Sequence, residues 1–106
     1  MTTAPIGHPA AVTAYVIYEA EVTDPERYEV YKVAAAASLA AAGGRYIVRG
    51  GAVEAFEGDP PSGRTVVAEF PEMAAAIAWY RGDEYTAARQ LRVGAATARM
   101  YVVDGV

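Results

Sequence analysis

The sequence predicts an α+β sandwich in which helices cover one side of a four-stranded antiparallel sheet. Three observations carry that reading. Strand-like and helix-like stretches alternate in the order strand, helix, strand, strand, helix, strand, the ferredoxin-like βαββαβ arrangement. The chain has 106 residues, enough for one compact domain with little room for a second. Neither the pair Gly43-Gly44 nor the pair Gly50-Gly51 both follows a strand and opens a helix, so they punctuate the backbone and do not cradle a phosphate.

Residues 1–11 contain two prolines and a glycine and read as a flexible tail; residues 12–106 form the domain. "VTAYVIYEAEV" from Val12 to Val22 is rich in β-branched and aromatic residues and reads as a strand. Tyr15 and Ile17 make one of its faces apolar, Val16 and Tyr18 the other, so both sides are covered. Next comes a helix start: Thr23 or Asp24 as cap, Pro25 in the first position, Glu26 in the first turn. Tyr28, Tyr31, Ala35, Leu39 and Ala42 recur at helical spacing as its buried stripe, and Gly43-Gly44 ends it.

"RYIVR" and "AVEAFEG" both have strand character. The Gly50-Gly51 pair between them is a bulge or kink in one long strand, or a tight hairpin turn. "DPPSG" is a polar turn, and "RTVVAEF" from Arg64 to Phe70 is a strand. "EMAAAIAWY" is a helix with Met73, Ile77 and Tyr80 on one side. Gly82 to Glu84 break it, "YTAARQLRVGAATA" continues as a last helical segment, and "RMYVVDG" closes the chain as a strand. The sheet face away from the helices stays partly apolar, and a two-fold dimer would bury it.

Composition excludes several functions. The net charge is −4 and the basic residues are scattered, against the clustered basic face that nucleic acid requires. No apolar run reaches the ~20 residues of a membrane span, and the N-terminus lacks the features of a signal peptide, so a cytoplasmic protein is expected. There is no cysteine and only one histidine, His8, which leaves neither thiolate chemistry nor a histidine-based metal or haem site. Glu54, Glu57 and Asp59 read as an exposed strand end and turn, with no metal motif. No metal and no cofactor are expected.

Taken in order, "TDPERYEVY", "GGRYIVRGG", "FEGD", "VAEFPEMAAAIAWY" and "DEYTAARQLR" resemble the pattern of the DUF1330 family, part of the dimeric α/β-barrel superfamily of ferredoxin-like folds. The resemblance covers nearly the whole chain after the tail. It implies a homodimer whose two sheets face each other in a barrel. Superfamily relatives include cofactor-independent monooxygenases, muconolactone-type isomerases, polyketide-tailoring enzymes and haem-dependent enzymes, and that spread implies no single activity.

Two residues are the candidates for catalysis. Glu69 lies mid-strand among apolar neighbours, where burial would raise its pKa and suit it to proton transfer; the bland alternative is an ion-paired edge carboxylate. Arg92, expected on the last helix, would hold a carboxylate, either Glu69 or a substrate acid, through its planar fork; the alternative is a surface arginine. Tyr28, Tyr31, Tyr46 and Tyr80, with Tyr85, would line a substrate pocket, though tyrosine also packs cores. Arg45 and Arg49 are expected on one strand face, where as a pair they would hold an anion, with Arg49 the substrate contact; the stronger alternative is a solvated edge. Trp79 is expected in the core or the dimer interface.

Two functions follow. The first is a cofactor-independent enzyme performing isomerase, cyclase or lactone-type proton transfer on a small apolar carbonyl-bearing metabolite. The alanine-, valine- and arginine-rich usage points to a GC-rich genome, where such barrels serve specialised metabolism. The second is a non-catalytic dimeric small-molecule-binding or scaffold protein. An open cavity beside Glu69 is expected of the first, and a closed Glu69–Arg92 pair of the second.

Overall fold

The computed structural model describes residues 12–106; the tail over residues 1–11, with His8, lies outside the described residues. The elements are β1 (Ala14–Val22), α1 (Pro25–Ala41), β2 (Arg45–Arg49), β3 (Arg64–Phe70), α2 (Met73–Arg81), α3 (Asp83–Gln90) and β4 (Ala96–Asp104). All three strand pairings are antiparallel, in the sheet order β2-β3-β1-β4. This is the ferredoxin-like α+β fold the sequence predicts, with its second helix in two pieces.

The start of α1 follows its sequence signals. The Asp24 carboxylate accepts a hydrogen bond from the Arg27 backbone N–H at 3.2 Å, satisfying one of the amides that a helix start leaves open. At the other end Gly43 takes φ +85°, and Gly44 N–H donates to Leu39 O at 2.9 Å. A Cβ at Gly44 would lie 2.8 Å from the Phe70 ring, so this glycine lets the turn approach β3.

Two expectations fail. "AVEAFEG" is not a strand: β2 stops at Arg49, and the chain from Gly51 to Gly63 is irregular. The segment that would have to pair with it contains Pro60 and Pro61, which offer no N–H to a ladder, and Phe56 is left 90% exposed. The last helical segment is also shorter than expected. It ends at Gln90, Gly94 turns the chain at φ +80°, and Ala96–Ala98 join β4. Their pairing with Ala20–Val22 overrides alanine's helical preference.

The pleat sends alternate residues to opposite faces. Val16, Tyr18 and Ala20 of β1 and Val66, Ala68 and Phe70 of β3 meet Tyr28, Tyr31, Ala35 and Leu39 of α1. From the other helices come Ala76, Trp79, Tyr85 and Ala88. Trp79 is therefore core. Met73 and Ile77 are only half-buried and Tyr80 is 36% exposed, because Ala76 and Trp79 take the inward face of α2. No helix among the described residues is long and apolar enough to cross a membrane.

Ser38 is the buried polar residue of this core. Its hydroxyl donates to Ala35 O at 2.8 Å and accepts from Trp79 Nε1 at 3.0 Å, tying α1 to α2. Ser38→Ala strands the indole N–H, and the expected loss is about 1–3 kcal/mol in a urea unfolding titration.

Candidate functional site

Strand alternation brings a set of phenols and guanidiniums together under the helices. β1 contributes Tyr18, β3 contributes Arg64, and β2 contributes Tyr46 and Arg49. Tyr28 and Tyr31 are one turn apart on the buried stripe of α1, and Tyr85 comes from α3. The hydroxyls pair: Tyr18 with Tyr28 at 2.9 Å and Tyr31 with Tyr85 at 2.8 Å. The Arg92 guanidinium lies 5.6 Å from the Tyr18 ring and 5.5 Å from the Tyr31 ring. Arg64 is 6.0 Å from the Tyr28 ring, and Arg49 is 4.5 Å from the Tyr46 ring.

Of these residues Tyr85 and Arg92 stand behind the others, against the Tyr31 ring. Tyr18, Tyr28, Tyr31, Tyr46, Arg49 and Arg64 border a cavity of about 30 Å³, bounded also by Lys32, Val66, Trp79 and Met100. That is room for an ordered water and not for a metabolite. Among the described residues no carboxylate and no histidine lines it.

The electrostatics run one way. The ion pairs among the described residues are Glu29–Lys32, Arg45–Glu69 and Glu19–Arg99, so Arg49, Arg64 and Arg92 have no carboxylate partner. The Nε atoms of Arg64 and Arg92 are buried without any hydrogen-bond partner. Burial works against the Arg92 charge, but the hydroxyls of Tyr85, Tyr18 and Tyr31 outweigh it and hold the guanidinium above its ordinary pKa. Burial pushes the phenols of Tyr28, Tyr31 and Tyr46 upward, reinforced at Tyr28 by its bond to Tyr18 and at Tyr31 by Tyr85. The site therefore offers fixed cations and neutral hydroxyl donors. It offers no base.

Several sequence-predicted residues lie elsewhere. Glu69 and Arg92 are not brought together. Glu69 alternates with the buried Ala68 and Phe70 and faces away from the helices, cross-strand from Tyr15. Its side chain, 23% exposed, is ion-paired with Arg45. The principal cavities are lined by other residues, so neither an open cavity beside Glu69 nor a Glu69–Arg92 pair is present. Arg92 is not helical; it occupies the turn between α3 and β4. Arg45 and Arg49 do not share a face, because an irregularity between Tyr46 and Val48 shifts the register and turns Arg49 toward the helices while Arg45 faces away. Tyr80 lies outside the cluster, its hydroxyl accepting a hydrogen bond from Arg89. Tyr28, Tyr31, Tyr46 and Arg49 do border the cavity.

Tyr18 and Arg64 belong to the site and were not singled out from sequence. Their signal was there: each lies an even number of residues from Val16 or Val66 on its strand, the spacing that shares a face.

A family model described as a domain of unknown function, DUF1330, matches residues 13–106; the chain belongs to this family. No curated protein matches the sequence. Among solved structures, a protein of unknown function from Rhodopseudomonas palustris is 19% identical, with 90% of this chain and 83% of that one covered at a TM-score of 0.69. SnoaB, a cofactor-independent oxygenase from Streptomyces nogalater, is 14% identical, covering 91% and 95% at a TM-score of 0.61. A dimeric protein of unknown function with a ferredoxin-like fold from Bacteroides fragilis is 11% identical, covering 92% and 98% at 0.53. At these identities the likeness is one of fold.

The raised phenols fix a pH dependence. A group with a higher pKa folded than unfolded contributes stability that is complete below its unfolded pKa and disappears as pH rises. The stability contributed by these tyrosines is expected to be level from neutrality to about pH 10 and to fall above it. Tyrosinate absorbance and circular dichroism measured together check this. Tyrosinate from the cluster appears only as the fold is lost; early ionisation in a native protein would contradict the burial.

Proposed function

We propose that the chain is a cofactor-independent enzyme acting on a small carbonyl-bearing organic acid or enolisable metabolite, whose developing oxyanion is held by Arg92, Arg64 and the tyrosine hydroxyls. The observation that carries this is the set of guanidiniums beside neutral phenols, Arg49 and Arg64 on the cavity wall and Arg92 over the Tyr18 and Tyr31 rings, without a carboxylate to neutralise them. Arg64 and Arg92 are partly buried; such cations without a counter-charge are costly, and an anionic ligand removes that cost. Such donors favour charge on oxygen more strongly than they favour a neutral carbonyl.

The chemistry is proton transfer next to a carbonyl. A C–H bond breaks, its electron pair moves into the enolate, and the charge settles on the oxygen facing Arg92 and Arg64. The tyrosines keep their protons and donate hydrogen bonds. Solvent water takes the proton, and return of a proton to a different carbon gives an isomer, or attack of the enolate on a second carbonyl gives a ring. The cofactor-independent oxygenase that shares this fold supports the choice of a cofactor-free class.

A second reading, a non-catalytic binding protein, is favoured by the small size of the cavity and by the lack of a base along it. Solvent-hydrogen exchange separates the two. In deuterated buffer the enzyme is expected to speed exchange at the carbon beside the carbonyl of a bound 1,3-diketone, followed by NMR; binding without exchange selects the second reading. Under both, Arg92→Gln weakens binding of small acids about tenfold or more in a calorimetric titration. An unchanged affinity removes Arg92 from the site.

The reading includes a homodimer. The sheet face away from the helices carries Tyr15, Ile17 and Val67 beside Tyr101 and Val103, the last two 48% and 46% exposed. A second copy stacked on this face would bury them together with the Arg45–Glu69 and Glu19–Arg99 pairs. Light scattering is expected to give twice the chain mass, and Tyr101→Asp combined with Val103→Asp to give the monomer. A monomeric wild type overturns this.

A further inference from the structure

We propose that the apolar cleft between α2 and β4 seats the hydrophobic body of an amphipathic acid whose charged head occupies the arginine–tyrosine pocket, with Met100 as the movable partition between them. This rests on the functional reading above and adds the shape of the ligand and its route of entry. The cleft holds about 180 Å³, with Val16, Ala76, Ile77, Met100 and Val102 as its apolar walls beside the rings of Trp79, Tyr80 and Tyr101, and one cation, Arg81, in its lining. An apolar cavity of about 150 Å³ accommodates a benzene ring, so the cleft suits one aryl group or a short alkyl chain.

The cleft and the inner cavity are neighbours. Val16, Trp79 and Met100 line both and make up the wall between them. Two of the three are fixed. Val16 is buried in the middle of β1, between β3 and β4. Trp79 donates to Ser38 at 3.0 Å and packs against Phe70 and Tyr85 with ring centroids 5.5 Å and 4.2 Å away.

Met100 differs from both. It is only half-buried, on the edge strand β4 and cross-strand from Tyr18. An unbranched thioether changes rotamer at little cost. Rotation of Met100 joins the cleft to the small inner space, and an acid entering tail-outward then reaches the unpartnered Arg64 donor on its wall, with the Arg92 guanidinium over the bordering Tyr18 and Tyr31 rings. The inner cavity is small because it admits only the oxygen-bearing head; the rest of the ligand lies on the far side of Met100.

The test compares propanoate with 3-phenylpropanoate by NMR titration. In the wild type the phenyl group is expected to tighten binding about tenfold or more. Ile77→Trp, which fills the cleft from α2, removes that advantage while propanoate affinity stays within about twofold, as for an independent site. Val102→Phe fills the same cleft from β4 and repeats the test should the tryptophan variant lose propanoate binding. Met100→Ala speeds association of 3-phenylpropanoate. An advantage that survives both filling variants overturns the cleft assignment and leaves the head pocket standing. If Arg92→Gln changes the affinity of neither acid, or the wild type binds neither, the functional reading and this inference fall together.

Discussion

Four tyrosine hydroxyls can be buried in a domain this small only because they satisfy one another. A buried hydroxyl without a partner costs on the order of 1–3 kcal/mol, and the fold answers with two pairs, Tyr18–Tyr28 and Tyr31–Tyr85. The first joins β1 to α1 and the second joins α1 to α3, so the same bonds that satisfy the phenols lock the helical layer onto the sheet. The ring of Tyr31 lies 5.2 Å from Tyr28 and 6.4 Å from Tyr18 and from Tyr85, which makes it the hinge of the cluster. The position of α1 along the sheet is thereby set by polar contacts as well as by the packing of its buried Tyr28, Tyr31, Ala35 and Leu39.

That arrangement has an electrostatic consequence. Each paired hydroxyl can be donor or acceptor toward its mate, and oxygen lone pairs and ring faces turn toward Arg64 and Arg92. The guanidiniums are thus held by phenols and π faces, which are weaker partners than a carboxylate. Cations stabilised in this way keep unsatisfied N–H groups and stay attractive to an incoming anion. Had a glutamate stood on the helix-facing side of β3, the pair would have closed on itself. Glu69 is one residue out of phase for that role.

This one-residue phase also marks how far the site was legible in the sequence. The strand and helix order was readable because apolar alternation, the Asp24-Pro25 helix start and the Gly43-Gly44 stop are local signals. Tyr28 and Tyr31 were readable as inward-facing from helical spacing. The face of Glu69 was not. β1 is apolar on both sides, so its alternation alone fails to say which side meets the helices. On β3 the apolar set Val66, Ala68 and Phe70 takes the helix side, with Phe70 against Trp79, and Glu69 in the alternate set faces away. Arg49 depended on a register irregularity, and Arg92 on a turn that alanine-rich sequence conceals. Tyr18 and Arg64 were overlooked because a tyrosine and an arginine in a strand each have an ordinary structural use.

The two faces of these strands carry a further consequence. A central strand covered by helices on one side and carrying Ile17, Val67 and Tyr15 on the other has two different neighbours to satisfy, and the charges are sorted accordingly. Toward the helices the cations lack carboxylates; on the opposite face Arg45 with Glu69 and Arg99 with Glu19 are neutralised in pairs. Paired charges tolerate being covered by another protein surface, because each carries its counter-ion into the lower dielectric. Unpaired ones do not, and they gain from a ligand that brings the missing charge. Charge pairing therefore distinguishes the two faces of one sheet, neutralised on one side and cationic on the other, and the two-residue period of the strands carries most of that sorting.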